Sequence, residues 1–380
     1  VKVLLTTPTF PPFNSGLGNA VYHQARALRS KDVEVVVATS GTGRSHRIDD
    51  PSGIKIEEFN LAGSDFLLNP IRGDREGYKK FLVESDFDVI VLHAWQNWAT
   101  DLALSNIQQI KGKKYLFSHC ISTNLIFKHQ PVRSWIRYLA WRPYRWGLSN
   151  KLKNLDGVIF LADNGQDSRF DDLRIAEKNK IKKLIIPNSL SDEARHILDT
   201  KVETLNKRDQ LIAVGSYEWQ KGFDDVLRAY AGSTAKNKIP LKLFGQRRTS
   251  FTLKLEVLSK KLGVDSKFLT FVEGVSKGEL LAEYLKSKLF LSGSLTECQP
   301  LVLLDANATG TPFVARGTGC IESMPGGLSF RTLSEAIAKI DELLVDGTKW
   351  NSLSAEGRTA AKEIYHPDRN IELLIKALKS

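Results

Sequence analysis

The chain of 380 residues carries 54 Lys and Arg against 43 Asp and Glu, a formal net charge of +11, with 42% apolar residues, 26% charged residues and 13 prolines. That composition excludes a disordered or fibrous protein, and the length predicts two domains, each able to bury its own core. The longest apolar runs, such as DVIVL before His93 and LVLL after Pro300, fall far short of the roughly 18 residues a spanning helix needs, so no membrane crossing is expected.

The opening VKVLLTTPTF reads as a short strand, without the apolar core and cleavage site of a signal peptide. A helix over residues 19–29 follows, then the β-branched runs VEVVVA, DVIVL, KKYLFS, GVIFLA and KLIIP. Short runs of this kind alternating with helical patterns predict a parallel α/β sheet. After Asn188 a polar stretch reads as a connection. A second series begins with LIAVG and continues through PLKLFG, FLTFVEG, KLFLSG and PFVA, with helices over residues 223–230, 253–262, 278–286 and from about Pro300. Three mostly helical segments close the chain, the last opening at Pro367, a residue suited to the first turn of a helix.

The expected fold class is therefore α/β, two doubly wound Rossmann-like domains facing across a cleft, with ligands at the carboxyl ends of the strands. The expected bounds are 1–190 for the first domain and 191–365 for the second, with the helix over 366–380 returning to the first. Cys120, Cys298 and Cys320 are odd in number and lack metal or redox spacing, which points to a reducing, cytoplasmic setting.

The densest chemistry lies in LFLSGSLTECQPLVLLDANATGTPFVA, residues 289–315. A strand ends near Ser292, a loop carries Glu297, and Pro300 opens a helix whose run Leu301 to Leu304 is apolar, yet Asp305 lies within it. A buried carboxylate needs a partner. One reading makes Asp305 structural, bonded to a neighbouring group. The other notes that Glu297 and Asp305 are separated by seven residues with a helix N-terminus between them, whose amides and dipole hold anions. That geometry suits the diphosphate of a nucleotide sugar.

TECQPLVLLDANATGTPFVA resembles the Glu-seven-residues-Glu signature of the retaining, nucleotide-sugar-dependent glycosyltransferases of the GT-B fold, with Asp as the last acid. VGSYEWQKGFDDVLRAYA, residues 214–231, is similar to the strand, loop and helix in which that family places an Arg and a Lys on the donor diphosphate; Lys221 matches, and Ser216 stands at the Arg position. FNSGLGNAVYHQA resembles the family's Gly-rich loop, with Gly16 and Gly18 letting backbone approach the donor phosphate. A dinucleotide fingerprint fits less well, because the third Gly is Val21 and no acid ends VVVATS. IIPNSL resembles the Pro-Asn-Gly turn between the domains, with Ser189 for Gly, and FSHCIS places His119 where the family often has a His near the transferred sugar. A structural role for that His remains open beside the catalytic one.

The resemblance implies a retaining, metal-independent transferase with no cofactor beyond the nucleotide sugar, in which Glu297, Lys221 and His119 are catalytic. Asp305, Gly16, Gly18, Ser216, Gln299, Pro300 and Leu301 would bind the donor. Asp86 and Asp88 form an Asp-x-Asp pair just before a strand, a weak candidate for a metal site. A non-catalytic nucleotide- or sugar-binding protein on the same scaffold is the alternative from another class.

The excess charge is local. Between positions 101 and 156 there is no Asp or Glu, while ten Lys and Arg fall there, leaving about +1 for the rest of the chain. At the centre, RSWIRYLAWRPYRWG, residues 133–147, predicts a helix with Trp135, Ile136, Leu139, Ala140 and Trp146 on one arc and Arg137, Tyr138, Trp141, Arg142 and Arg145 on the other. The first arc is expected to pack on the domain, and the second to face outward. A solvated face, single-stranded nucleic acid stacking on the aromatics and an interfacial helix on anionic lipid all fit that outward arc. Trp and Tyr favour the headgroup level and each cation there is worth roughly 1 kcal/mol, so the preferred expectation is a cytoplasmic enzyme peripheral to the inner membrane face, without a nucleic-acid partner. Its acceptor would be a lipid-linked or surface saccharide in cell-surface glycan assembly.

Overall fold

The computed structural model describes residues 1–379 apart from 13–14, 42–44, 50–52, 164–167 and 201–202. Two compact units are present, Val1–Ser189 with Asp368–Ser380, and Leu190–Pro367.

The first unit is built on an eight-stranded sheet in the order Lys183–Ile185, Gly157–Phe160, Lys113–Ser118, Val89–His93, Lys2–Thr6, Glu34–Ser40, Ile54–Phe59 and Ser45–Asp49. All pairings are parallel except the last. Helices cover both faces of a parallel sheet, so its central strands are continuously apolar; Val89–His93 is buried at every position. The strand order reverses between Lys2–Thr6 and Val89–His93, which sets a topological switch point at their carboxyl ends.

The helix Pro367–Lys379 belongs to this unit. Its Ala377 carbonyl accepts a hydrogen bond from the Tyr115 hydroxyl (2.9 Å), and the Asn370 amide donates to the Pro187 carbonyl and the Ser189 hydroxyl, both at 3.2 Å. The Pro187-Asn188-Ser189 turn is thus tied to the end of the chain.

The second unit has six parallel strands, Gln210–Val214, Leu241–Gly245, Leu269–Glu273, Ser287–Ser292, Phe313–Arg316 and Gly327–Phe330, arranged third, second, first, fourth, fifth, sixth. This is the doubly wound order, with its switch point between Gln210–Val214 and Ser287–Ser292. The sixth strand, GLSF, has no β-branched residue to announce it. Its Gly327 is required, since a Cβ there would lie 2.3 Å from the Phe313 ring.

Arg208, almost fully buried, fixes the helix Leu301–Ala308 to this sheet. Its guanidinium donates to the carbonyls of Tyr284, Ser287, Thr309, Gly310 and Glu203 and to the Thr311 hydroxyl. A buried cation is tolerable only when its donors are satisfied in this way, and burial still pulls its pKa down to about 10. The carboxyl end of the helix is clamped, so its amino end is held in the loop layer above the switch point.

Candidate functional site

Two loops leave the second unit's switch point and meet backbone to backbone. Gly222, at φ +61°, caps the helix Phe223–Gly232, and a Cβ on it would lie 2.0 Å from the Gly293 carbonyl oxygen. Gly293 is equally constrained, 2.2 Å from the Gly222 oxygen. The Leu295 amide donates to the Gln220 carbonyl at 2.8 Å, completing the join. Only glycine permits such approach, and its result is chemical. Lys221 Nζ lies 2.7 Å from Glu297 Oε1, which also accepts from the Ser294 hydroxyl at 2.8 Å. Behind them Gly319, at φ +62°, leaves no room for a Cβ, which would lie 2.4 Å from the Glu297 carbonyl oxygen.

Three residues after Glu297, Pro300 is the N-cap of the helix Leu301–Ala308 and makes no side-chain cap. The helix therefore begins one residue later than Pro300, and its first amides, at Leu301 and Val302, open toward the loop layer. Gln299 and Pro300 are buried, Leu301 is half-buried, and Ser216 is exposed, its carbonyl accepting from the Glu218 amide at 2.7 Å.

Asp305 is buried, and its partner is Lys277, whose Nζ lies 2.5 Å from Oδ2. Each acid of the 297 and 305 pair thus has its own ammonium group. Lys277 is a site residue that spacing alone did not disclose. The available signal was Ser276 and Glu279, whose reciprocal capping box starts the helix at Lys277, one residue before the predicted bound.

In the first unit, Ser15 caps the helix Gly16–Arg29 by accepting from the Gly18 amide at 2.8 Å. Gly18 is sterically required, with a Cβ position 2.9 Å from the Thr9 carbonyl oxygen, whereas Gly16 faces open space within 4 Å. Part of that loop, Phe13 and Asn14, lies outside the described residues. His93 and His119, at the carboxyl ends of neighbouring strands, form a pair with Nδ1 of the first 3.3 Å from Nε2 of the second. Among the described residues His93 Nε2 is buried without a hydrogen-bond partner. Burial holds both imidazoles neutral, His119 down to about 4 and His93 well below its ordinary value, with His119 adding to the effect on His93. Asp88 has a structural partner, its Oδ2 accepting from the Lys2 amide at 2.7 Å. Among the described residues no group of three or more His, Cys, Asp or Glu converges as metal ligands would.

The basic aromatic stretch reverses the expected arcs. It forms the helices Pro131–Ala140, Arg142–Trp146 and Leu148–Lys153. Trp141, expected outward, is buried and stacks on Phe66 with centroids 4.3 Å apart. Arg137 donates to the Leu125 carbonyl (2.8 Å), Arg145 pairs with Asp171, and Arg142 donates to the Tyr138 hydroxyl (3.3 Å). Beside them the Tyr144 hydroxyl donates to Asp101 at 2.6 Å, and burial raises that carboxyl to about 6. The physical reason is that Asp101, Asp171 and Phe66 reach the segment from other parts of the fold. The arginine and aromatic arc is the face that binds the domain. The apolar arc faces outward: Trp135, Ile136, Leu139 and Trp146 are exposed.

Residues 14–168 match the model of Glycosyltransferase Family 4, and residues 196–324 match that of Glycosyl transferases group 1. The chain is 21% identical over 351 residues, 88% of its length and 75% of the relative's, to alpha-monoglucosyldiacylglycerol synthase of Streptococcus pneumoniae. Its fold is similar to sucrose-phosphate synthase of Thermosynechococcus elongatus, with a TM-score of 0.75, 16% identity and coverage of 100% and 98% of the two chains. It is also similar to Anabaena HepE, solved in complex with UDP, with a TM-score of 0.72, 14% identity and full coverage of both chains.

Two measurements check this geometry. Lys277→Ala strands a buried carboxylate and is expected to cost about 1–3 kcal/mol in urea unfolding. Adding Asp305→Asn should recover most of that loss, and unchanged stability of the single variant contradicts the pairing. Because the folded-state pKa of both histidines is depressed, neither should take up a proton as pH falls from 8 to 5.5. The imidazole NMR signals lost in His93→Gln and His119→Gln should therefore stay fixed over that window; a midpoint near 6.5 for either contradicts the burial argument.

Proposed function

Since the chain belongs to the glycosyl transferases of group 1, a glycosyltransferase of the GT-B fold using a nucleotide-sugar donor, we propose that it transfers the sugar with retention to a lipid-linked acceptor at the inner membrane face. The observation that carries this reading is the Lys221–Glu297 pair on two glycine-joined loops, beside the uncapped amides of Leu301 and Val302. The second unit holds the donor, and the first takes the acceptor. A name points the same way: the pneumococcal relative is a synthase of a glucosyl lipid. Cell-surface glycan assembly is the process that uses such a product.

Breaking the bond from the anomeric carbon to phosphate builds negative charge on the diphosphate and positive charge on carbon. Preorganised donors at the phosphate stabilise that departure. Lys221 and the amides at 301 and 302 supply them, and Glu297 accepts hydrogen bonds from sugar hydroxyls once the phosphate draws the ammonium away. Ser216, at the usual Arg position, leaves Lys221 as the principal side-chain cation on the phosphate. Asp305, anchored by Lys277, accepts from the nucleoside hydroxyls. His119, neutral, hydrogen-bonds the transferred sugar. The acceptor oxygen attacks on the face the phosphate leaves, forms the new bond to the anomeric carbon and gives its proton to a departing phosphate oxygen. No metal ion and no cofactor beyond the nucleotide sugar takes part in this scheme.

Release of nucleoside diphosphate should require a lipid acceptor dispersed in detergent micelles, tested with a panel of nucleotide sugars. Lys221→Ala and Glu297→Ala should each lower kcat by on the order of 10²-fold or more. The product should keep the donor's anomeric configuration by NMR. Undiminished turnover in both variants, or an inverted product, contradicts the proposal.

A further inference from the structure

On the helix Pro131–Ala140, Val132, Trp135, Ile136 and Leu139 form one stripe at spacings of three, one and three residues, all between 51% and 71% exposed. Trp146, 72% exposed, adds a second indole beyond the break at Trp141. Leu67 and Leu68, also exposed, follow directly on Phe66, whose ring stacks on Trp141. Single exposed apolar residues need no explanation. A ridge of seven such side chains does.

The helix is amphipathic in an unusual sense, because its polar and aromatic face is consumed by the fold. Ser134 is buried beneath the helix, its hydroxyl accepts from the Phe127 amide at 3.1 Å, and Arg137 lies over the Phe127 ring at 5.1 Å. These contacts fix the rotation of the helix, so the apolar stripe cannot turn inward. Lys128 and Arg133 are exposed beside it.

We propose that this ridge is the membrane-docking surface, with Trp135, Ile136, Leu139 and Trp146 entering the acyl boundary of an anionic leaflet and Lys128 and Arg133 meeting its headgroups. Charge favours that occupant. The cations exposed beside the stripe are Lys128 and Arg133, so two copies of this face repel while an acidic lipid surface attracts it. Size agrees, since seven side chains fall short of the roughly 20–30 residues a side found in stable protein interfaces. Indoles are enriched at the bilayer interface, and a shallow apolar face with flanking cations is the form of an interfacial helix. The inference rests on the membrane-borne acceptor, and it names the apolar arc, with the arginines as internal anchors.

The test is sedimentation with vesicles of phosphatidylglycerol and phosphatidylcholine, using the full chain and the triple variant Trp135→Ser, Ile136→Ser, Leu139→Ser. Wild type should partition at least tenfold more strongly onto the mixed vesicles than onto phosphatidylcholine alone, and the triple variant should lose at least tenfold while melting at the wild-type temperature. Brominated lipid should quench wild-type Trp fluorescence, and less so in Trp135→Ser. Equal partitioning of variant and wild type, or no binding by wild type, overturns the ridge as docking surface. So does a dimer in solution that the triple variant makes monomeric. Turnover of acceptor in detergent micelles is independent of docking and separates the two ideas: its absence counts against the acceptor, and its persistence in a variant that has left the vesicles supports both.

Discussion

Contact between the backbones at Gly222 and Gly293 is the constraint from which the donor site follows. It leaves no room for a side chain on either loop, and it brings Lys221 and Glu297, 76 positions apart, to 2.7 Å. The pair itself adds little to folding, because the ammonium is about one third exposed and such pairs contribute about 0–1 kcal/mol. Its value lies in placement. An ammonium on a rigid loop beside free helix amides is a preorganised anion site, and the same carboxylate that neutralises it in the resting state is available to a sugar hydroxyl when phosphate arrives.

The two ends of the helix Leu301–Ala308 are treated differently, and this division of labour positions the chemistry. Arg208 and its carbonyl partners hold the carboxyl end, while the amino end carries no side-chain cap. A helix pinned at one end and left unsatisfied at the other directs its free amides to whatever anion occupies the loop layer. Asp305 and Lys277 extend the arrangement one turn further.

Much of this was legible before coordinates. The central parallel strands announce themselves as β-branched runs because both of their faces are buried, and the spacing of Glu297 and Asp305 marks the helix N-terminus between them. The strand Ile54–Phe59, next to the edge of its sheet, and the edge strand Gly327–Phe330 escaped, the first for the charges interleaved with its apolar residues and the second for its lack of β-branched residues. Lys277 escaped because a lysine at a helix start looks ordinary until the buried Asp305 is seen against it. The arcs of residues 133–147 were reversed for a related reason: periodicity separates two faces but does not say which one finds partners. Asp101, Asp171 and Phe66 lie far away in sequence, and they chose the arginine face.

The most direct measurement is a crystal structure of the chain with the nucleoside diphosphate that stabilises it most. The account predicts a phosphate oxygen about 3 Å from Lys221 Nζ and from the amide of Leu301 or Val302, with the Lys221–Glu297 pair loosened. Nucleotide bound elsewhere in the chain, with that pair intact, would contradict it.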